Sequence, residues 1–118
     1  MLNQVVLVGR LTSDLEAKEL EDGKKVTNMT LAIPRSFKNA EGEYETDFIE
    51  VKLWNQIAEN TAEYCKKGDI VGVKGRLQSR VVEKDDEKED GSKVFKLDVV
   101  AEKVTFLSSR SKEEPERE

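Results

Sequence analysis

Period-two alternation recurs along most of this chain, and only one stretch departs from it. In residues 26–37, VTNMTLAIPRSF, the side chains of Met29, Leu31 and Ile33 share a face. In 47–55, DFIEVKLWN, Ile49, Val51 and Leu53 do so; in 69–82, DIVGVKGRLQSRVV, the set is Val71, Val73, Leu77 and Val81. Residues 2–11, LNQVVLVGRL, are apolar and β-branched, as in a strand buried on both faces over part of its length. KVFKLDVVAEKVTFL, 93–107, supplies a fifth strand. The exception is 55–68, NQIAENTAEYCKKG, where Ile57, Thr61 and Tyr64, with Ala58, Ala62 and Cys65, form one stripe at helical spacing. Asn55 is its expected N-cap, Lys66 and Lys67 suit its C-terminal dipole, and Gly68 suits the position after it.

Turn signals separate these segments. Asp22-Gly23 marks a hairpin, as does the polar loop 38–46 around Gly42. Pro34 suggests a sheet edge or a strand end. The resulting order, β-β-β-α-β-β, is that of an all-β fold: the five-stranded OB-fold, a Greek-key barrel with one short helix between strands three and four. An open five-stranded sheet covered by a helix is the alternative. Closure accounts better for Gly72 and Gly75, which suggest bends or bulges, and it limits exposed edges. The expected domain is 1–108, followed by a short, polar, disordered acidic tail at 109–118.

At 118 residues the chain is long enough for one domain with a core of its own. It contains no histidine, so His-based triads and most zinc sites are excluded. Its one cysteine, Cys65, permits no internal disulfide and reads as a core residue of the helix. No apolar run approaches the ~18 residues of a membrane span, and the N-terminus has no signal-peptide pattern. A cytoplasmic protein without membrane contact is expected. No cofactor or metal is called for: Asp85, Asp86 and Asp90 do not match the calcium-loop register. The composition points away from an enzyme.

The net charge of −5 argues against a nucleic-acid partner until it is located. Residues 83–90, EKDDEKED, carry −4, and 110–118, RSKEEPERE, carry −1. The rest of the chain is neutral and free to present a basic face. The acidic run itself reads as a solvated hairpin tip.

The second face of 47–55 holds Phe48, Glu50, Lys52 and Trp54. Packing of both aromatics into a second small core is one reading, but it would bury the two charges between them. The other is a wet platform on which unpaired bases stack, worth ~1–3 kcal/mol per base regardless of sequence. Phe37 in PRSFKN reads either as a hairpin-closing ring or as a third platform flanked by Arg35 and Lys38 for phosphates. Tyr44, at the loop tip, is a weaker candidate. On 69–82, Lys74, Arg76, Gln78 and Arg80 line the non-core face with few acids interspersed. Four residues along a strand span ~13 Å, about two nucleotides of extended backbone. A basic row beside an aromatic row is the composition of a groove for a single strand.

With these residues in view, the chain from Leu2 to about Leu107 resembles the bacterial single-stranded DNA-binding proteins. The resemblance is carried by NQVVLVGRLTSD, GKKVTNMTLAIPRSFKN, DFIEVKLWNQIAENTAEYCKKGDIVGVKGRLQSR and VFKLDVVAEKVTFL, in that order and spacing. It implies an OB-fold, cooperative or wrapped binding of single-stranded DNA, and roles in replication, recombination and repair. It also implies a homotetramer, with a dimer as the alternative, in the bacterial nucleoid or from a phage in a bacterial host. Phe37, Phe48 and Trp54 match base-stacking positions of that family, and Arg80 matches a phosphate-contacting arginine. Three features depart from it. Val82 stands where an aromatic is frequent, Asp14-Leu15-Glu16 replaces Asp-Pro-Glu, and KEEPERE lacks the Phe-tipped acidic end that recruits replication and repair proteins. These departures leave room for a protein-interaction module of the same fold with weak DNA binding, such as a primosome accessory protein.

Overall fold

The computed structural model describes residues 1–83 and 93–108. The acidic run beyond Glu83 and the segment 109–118 lie outside them. The elements are β1 (Val5–Leu11), β2 (Lys18–Glu19), β3 (Lys25–Lys38), β4 (Tyr44–Trp54), α1 (Asn55–Tyr64), β5 (Ile70–Glu83) and β6 (Lys93–Ser108). The five expected strands are present. A two-residue strand, β2, is added; it pairs with the start of β3 through Lys18↔Val26 and Glu19↔Lys25. The Asp22-Gly23 turn joins the two, with Gly23 at φ +91°, a conformation that costs glycine little.

Alternation puts Thr27, Met29 and Leu31 of β3 and Val51 and Leu53 of β4 inside. The antiparallel register stacks them as cross-strand pairs, Thr27↔Leu53, Met29↔Val51 and Leu31↔Ile49. The strands follow the order β1-β5-β6-β4-β3, and β1 returns to β3 through Arg10↔Ala32 and Leu11↔Leu31, closing a five-stranded barrel. One junction, β4 with β6, is parallel, at Val51↔Val99 and Lys52↔Val100. This is the OB-fold arrangement. Leu11, Met29, Leu31, Val51, Leu53, Val71, Val73 and Ala101 fill it, joined by Ala58 and Cys65 from the helical segment. Each of the larger of these apolar side chains contributes about 1.5–3 kcal/mol on burial.

Closure depends on close backbone approach at two glycines. A Cβ on Gly75 would stand 2.2 Å from the carbonyl oxygen of Val100, where β5 and β6 shift register. A Cβ on Gly9 would stand 2.7 Å from the Ile33 side chain, where β1 swings towards β3. The bend expected at Gly72 is not there: the shifts fall at Ile70/Val71 and Lys74/Gly75.

Pro34 stands at a sheet edge, one of its two expected places: there β3 pairs with β4 alone, its β1 partners ending at Ala32, and the strand runs on to Lys38 with a register slip between Pro34 and Lys38. The helix stops at Tyr64, short of the expected C-terminus at Lys66 and Lys67, and Asn55 is not its N-cap. Trp54 holds the extended cap position, while Asn55 adopts φ +53° and its Oδ1 accepts a hydrogen bond from the Lys25 backbone N–H at 3.1 Å. At the other end Cys65 turns into extended backbone and enters the core. Asp69 then closes the turn, its Oδ2 accepting from the Lys66 N–H at 2.8 Å. Burial of Cys65 outweighs another turn of helix, so Lys66 and Lys67 lie outside it, and Tyr64, expected in the apolar stripe, is exposed.

Candidate nucleic-acid interface

The outer face of β3 and β4 follows from the same register that builds the core. Its cross-strand pairs are Val26↔Trp54, Asn28↔Lys52, Thr30↔Glu50 and Ala32↔Phe48. Phe48 is 67% exposed, because the side chain opposite it is an alanine methyl group. Trp54 is half-buried at the strand–helix junction, and Glu50 between them is exposed. The face is wet, not a second core. Along β4 the two rings lie about 20 Å apart. Phe37, 64% exposed, lies within the irregularity between Pro34 and Lys38 at the far end of β3. Beside it, the Lys38 ammonium lies 5.6 Å from the centre of the exposed Tyr44 ring, a cation–π contact.

The basic row is continuous with this platform. Lys52 of β4 pairs with Val100 of β6, and Val100 pairs with Arg76 of β5, so the three form one rung across the outer face. Arg80 lies two alternate positions further along β5, with Gln78 between. Lys74 continues the row the other way, opposite Val6 of β1 and Lys103 of β6.

The expectation of few interspersed acids holds along β5 and fails across it. β6 places a carboxylate diagonally from each arginine. Asp98 Oδ2 accepts from Arg80 Nε at 2.8 Å, and Glu102 Oε2 accepts from Arg76 Nη1 at 3.3 Å. Arg76 also donates to Gln78 Oε1 at 3.0 Å. The Arg80 hydrogen bond holds the Asp98 carboxyl below its ordinary range against the opposing effect of burial, with further help from the charges of Arg80 and Lys52. The same strand carries two cations that the alternation of β5 alone does not reveal. Lys96 stands opposite Arg80, and Lys103 opposite Lys74. Like charges placed directly across a ladder repel, and a bound anion relieves them. Their signal in the sequence is the Lys96-Leu97-Asp98 alternation, legible only once the pairing with β5 is known.

Arg35 stands apart. The register puts it on the side of Ile33 and Asp47, opposite to that of Phe48. There its guanidinium binds both oxygens of Asp47, at 2.8–3.2 Å, and Glu45 at 3.0 Å. The Arg35 hydrogen bond keeps Asp47 well ionised, its carboxyl below the ordinary value. Among the described residues no group of three His, Cys, Asp or Glu side chains could hold a metal ion, and no helix is long and apolar enough to cross a membrane.

Residues 2–107 match the model of the Single-strand binding protein family. The chain is 47% identical over 113 residues to single-stranded DNA-binding protein B of Bacillus subtilis, covering 96% of both. It is 47% identical to single-stranded DNA-binding protein 3 of Listeria innocua, covering 93% of this chain and 66% of that one. It is 48% identical to a single-stranded DNA-binding protein of Halalkalibacterium halodurans, with 93% and 63% covered.

The chain belongs to the single-strand binding protein family. It spans nearly all of the Bacillus subtilis relative and about two thirds of the other two. In this member of the single-strand binding protein family Phe48 and Trp54 lie on the outer face of the barrel, and Val82, beyond Arg80, pairs with Val94.

Proposed function

We propose that this protein coats single-stranded DNA without base-sequence selection and without catalysis. Bases stack on Phe48, Trp54 and Phe37, while Lys52, Lys74, Arg76, Arg80 and Lys38 neutralise phosphates. Lys96 and Lys103 add to that set; Arg35, on the other side of its hairpin, meets phosphate only where the strand passes around the hairpin edge. The observation that carries the reading is the rung Lys52–Val100–Arg76, which joins an exposed aromatic strand to a basic one on a single outer face. Duplex binds poorly, because paired bases cannot offer their faces to rings. The roles that follow are protection of single strands in replication, recombination and repair.

Self-association into a homotetramer belongs to the same reading. Val6 and Val8 are exposed on the outside of β1, and β1 pairs on one edge only before it reaches Arg10. An open strand edge beside apolar side chains favours a second copy.

The test is a titration of oligo-dT at several salt concentrations, with duplex as competitor, following tryptophan fluorescence and particle mass. Quenching that weakens with salt and resists duplex supports the reading. The arginine–carboxylate pairs favour one rival, a module of this fold that binds protein and holds DNA weakly; absence of quenching at low salt supports that rival.

A further inference from the structure

Both arginines on the outer face of β5 are already occupied. Each reaches diagonally past its direct partner on β6: Arg76, paired with Val100, to Glu102, and Arg80, paired with Lys96, to Asp98. The two contacts repeat at the same spacing on both strands, so a single register produces them. Glu102 is the extra residue of the β6 irregularity between Ala101 and Lys103. The Asp98 side chain is only 17% exposed, so it is held in place and not free to swing away into solvent. A carboxylate oxygen accepting from a guanidinium has the geometry of a phosphate oxygen doing so.

The geometry points to Asp98 and Glu102 as internal substitutes for DNA phosphates, which hold Arg80 and Arg76 in the free protein and are displaced when a strand binds. This rests on the single-strand-binding reading and adds to it the control of affinity and salt response. An arginine that is unpaired in the free protein contributes fully to counterion release, about 0.7 per phosphate on a single strand. An arginine that first leaves a carboxylate contributes much less, because the freed carboxylate takes up a cation from solution. Wild type therefore binds with a shallower salt dependence than its number of cations implies. The acids also make each arginine contact an exchange and not a net gain, which favours release and repositioning of the protein along the strand.

The experiment compares wild type, Asp98→Asn, Glu102→Gln and the control Glu63→Gln, an exposed acid on α1. Each is titrated with oligo-dT over a range of salt, with thermal melting as the check on folding. Asp98→Asn and Glu102→Gln are expected to bind about two- to fivefold tighter at low salt, the size of a surface ion pair. Their log K against log salt plots steepen by up to about 0.7 each. Glu63→Gln follows wild type. Glu102→Gln, at the more exposed position, carries the test independently if Asp98→Asn melts early. Unchanged slopes overturn the exchange. So does weaker binding, which would mean that the acids position the arginines in the complex, and so does an equal effect of Glu63→Gln, which would mean a general charge effect. A wild type that binds no oligo-dT fails the functional reading itself, a result distinct from bound wild type with unaltered variants.

Discussion

Phe48 stands directly across the ladder from Ala32, and the small partner leaves two thirds of the ring open on the outside of the barrel. Its removal therefore tests the platform without touching the core. Phe48→Ala is expected to weaken oligo-dT binding by about 1–3 kcal/mol, the value of one base stacked on an aromatic ring. The melting temperature stays close to that of wild type. A variant that binds like its parent would remove Phe48 from the interface. Trp54→Ala loses binding as well, but its half-buried position at the start of α1 adds a stability cost.

The barrel closes around a glycine that no other residue can replace without backbone movement. In Gly75→Ala the new methyl group meets the Val100 carbonyl oxygen, a backbone atom that cannot rotate away. Overpacking of this kind costs about 1–3 kcal/mol, and more where backbone must shift. Urea unfolding is the measurement; a midpoint equal to that of wild type would show that β5 and β6 have slack there.

Acid should expose the Arg80–Asp98 pair. The folded-state carboxyl lies below its ordinary value of 3.8, so its contribution to stability is present above that value and is lost as pH falls through the lower, folded one. Arg80→Met removes the contribution at neutral pH already. The variant should be less stable than wild type at pH 7, and the gap should close in strong acid. A gap independent of pH would assign the effect to lost packing of the arginine stem.

Cys65 is 3% exposed, and its thiol is pushed up to about 11, first by burial and then by the charge of Asp69. Native protein at pH 8 is expected to resist a thiol reagent, with one equivalent reacting after unfolding. Fast reaction of folded protein would mean that the segment after α1 opens readily.

The strand pattern was readable in the chain because a pleated backbone converts period two directly into faces. Ile49, Val51 and Leu53 against Phe48, Glu50, Lys52 and Trp54 needed no partner strand to be sorted. The helix end was less readable. Lys66, Lys67 and Gly68 carry good local signals for a C-terminus, yet Cys65 leaves the helix to reach the core, a gain that only the assembled barrel offers. The bend assigned to Gly72 failed for a related reason. A glycine in a strand signals close approach, but which glycine meets a neighbouring backbone depends on the register, and here that one is Gly75.

The candidate site divides along the same line. The sequence by itself determined which side chains share a strand face: the rings of β4, the cations of β5 and the apolar sets, of which Leu77 and Val81 stay exposed where β5 runs on beyond its pairing with β1. These are consequences of local geometry, set within a few residues of each side chain. Only the tertiary structure decided what stands beside them. The parallel junction of β4 with β6 joins rings and cations into one surface. The pairing of β5 with β6 brings Asp98 and Glu102 onto Arg80 and Arg76, and Lys96 and Lys103 into the basic row. Arg35 turns to Asp47 on the opposite side. Coulomb and hydrogen-bond energies depend on distance through space, and residues far apart in the chain acquire that distance only when the barrel closes.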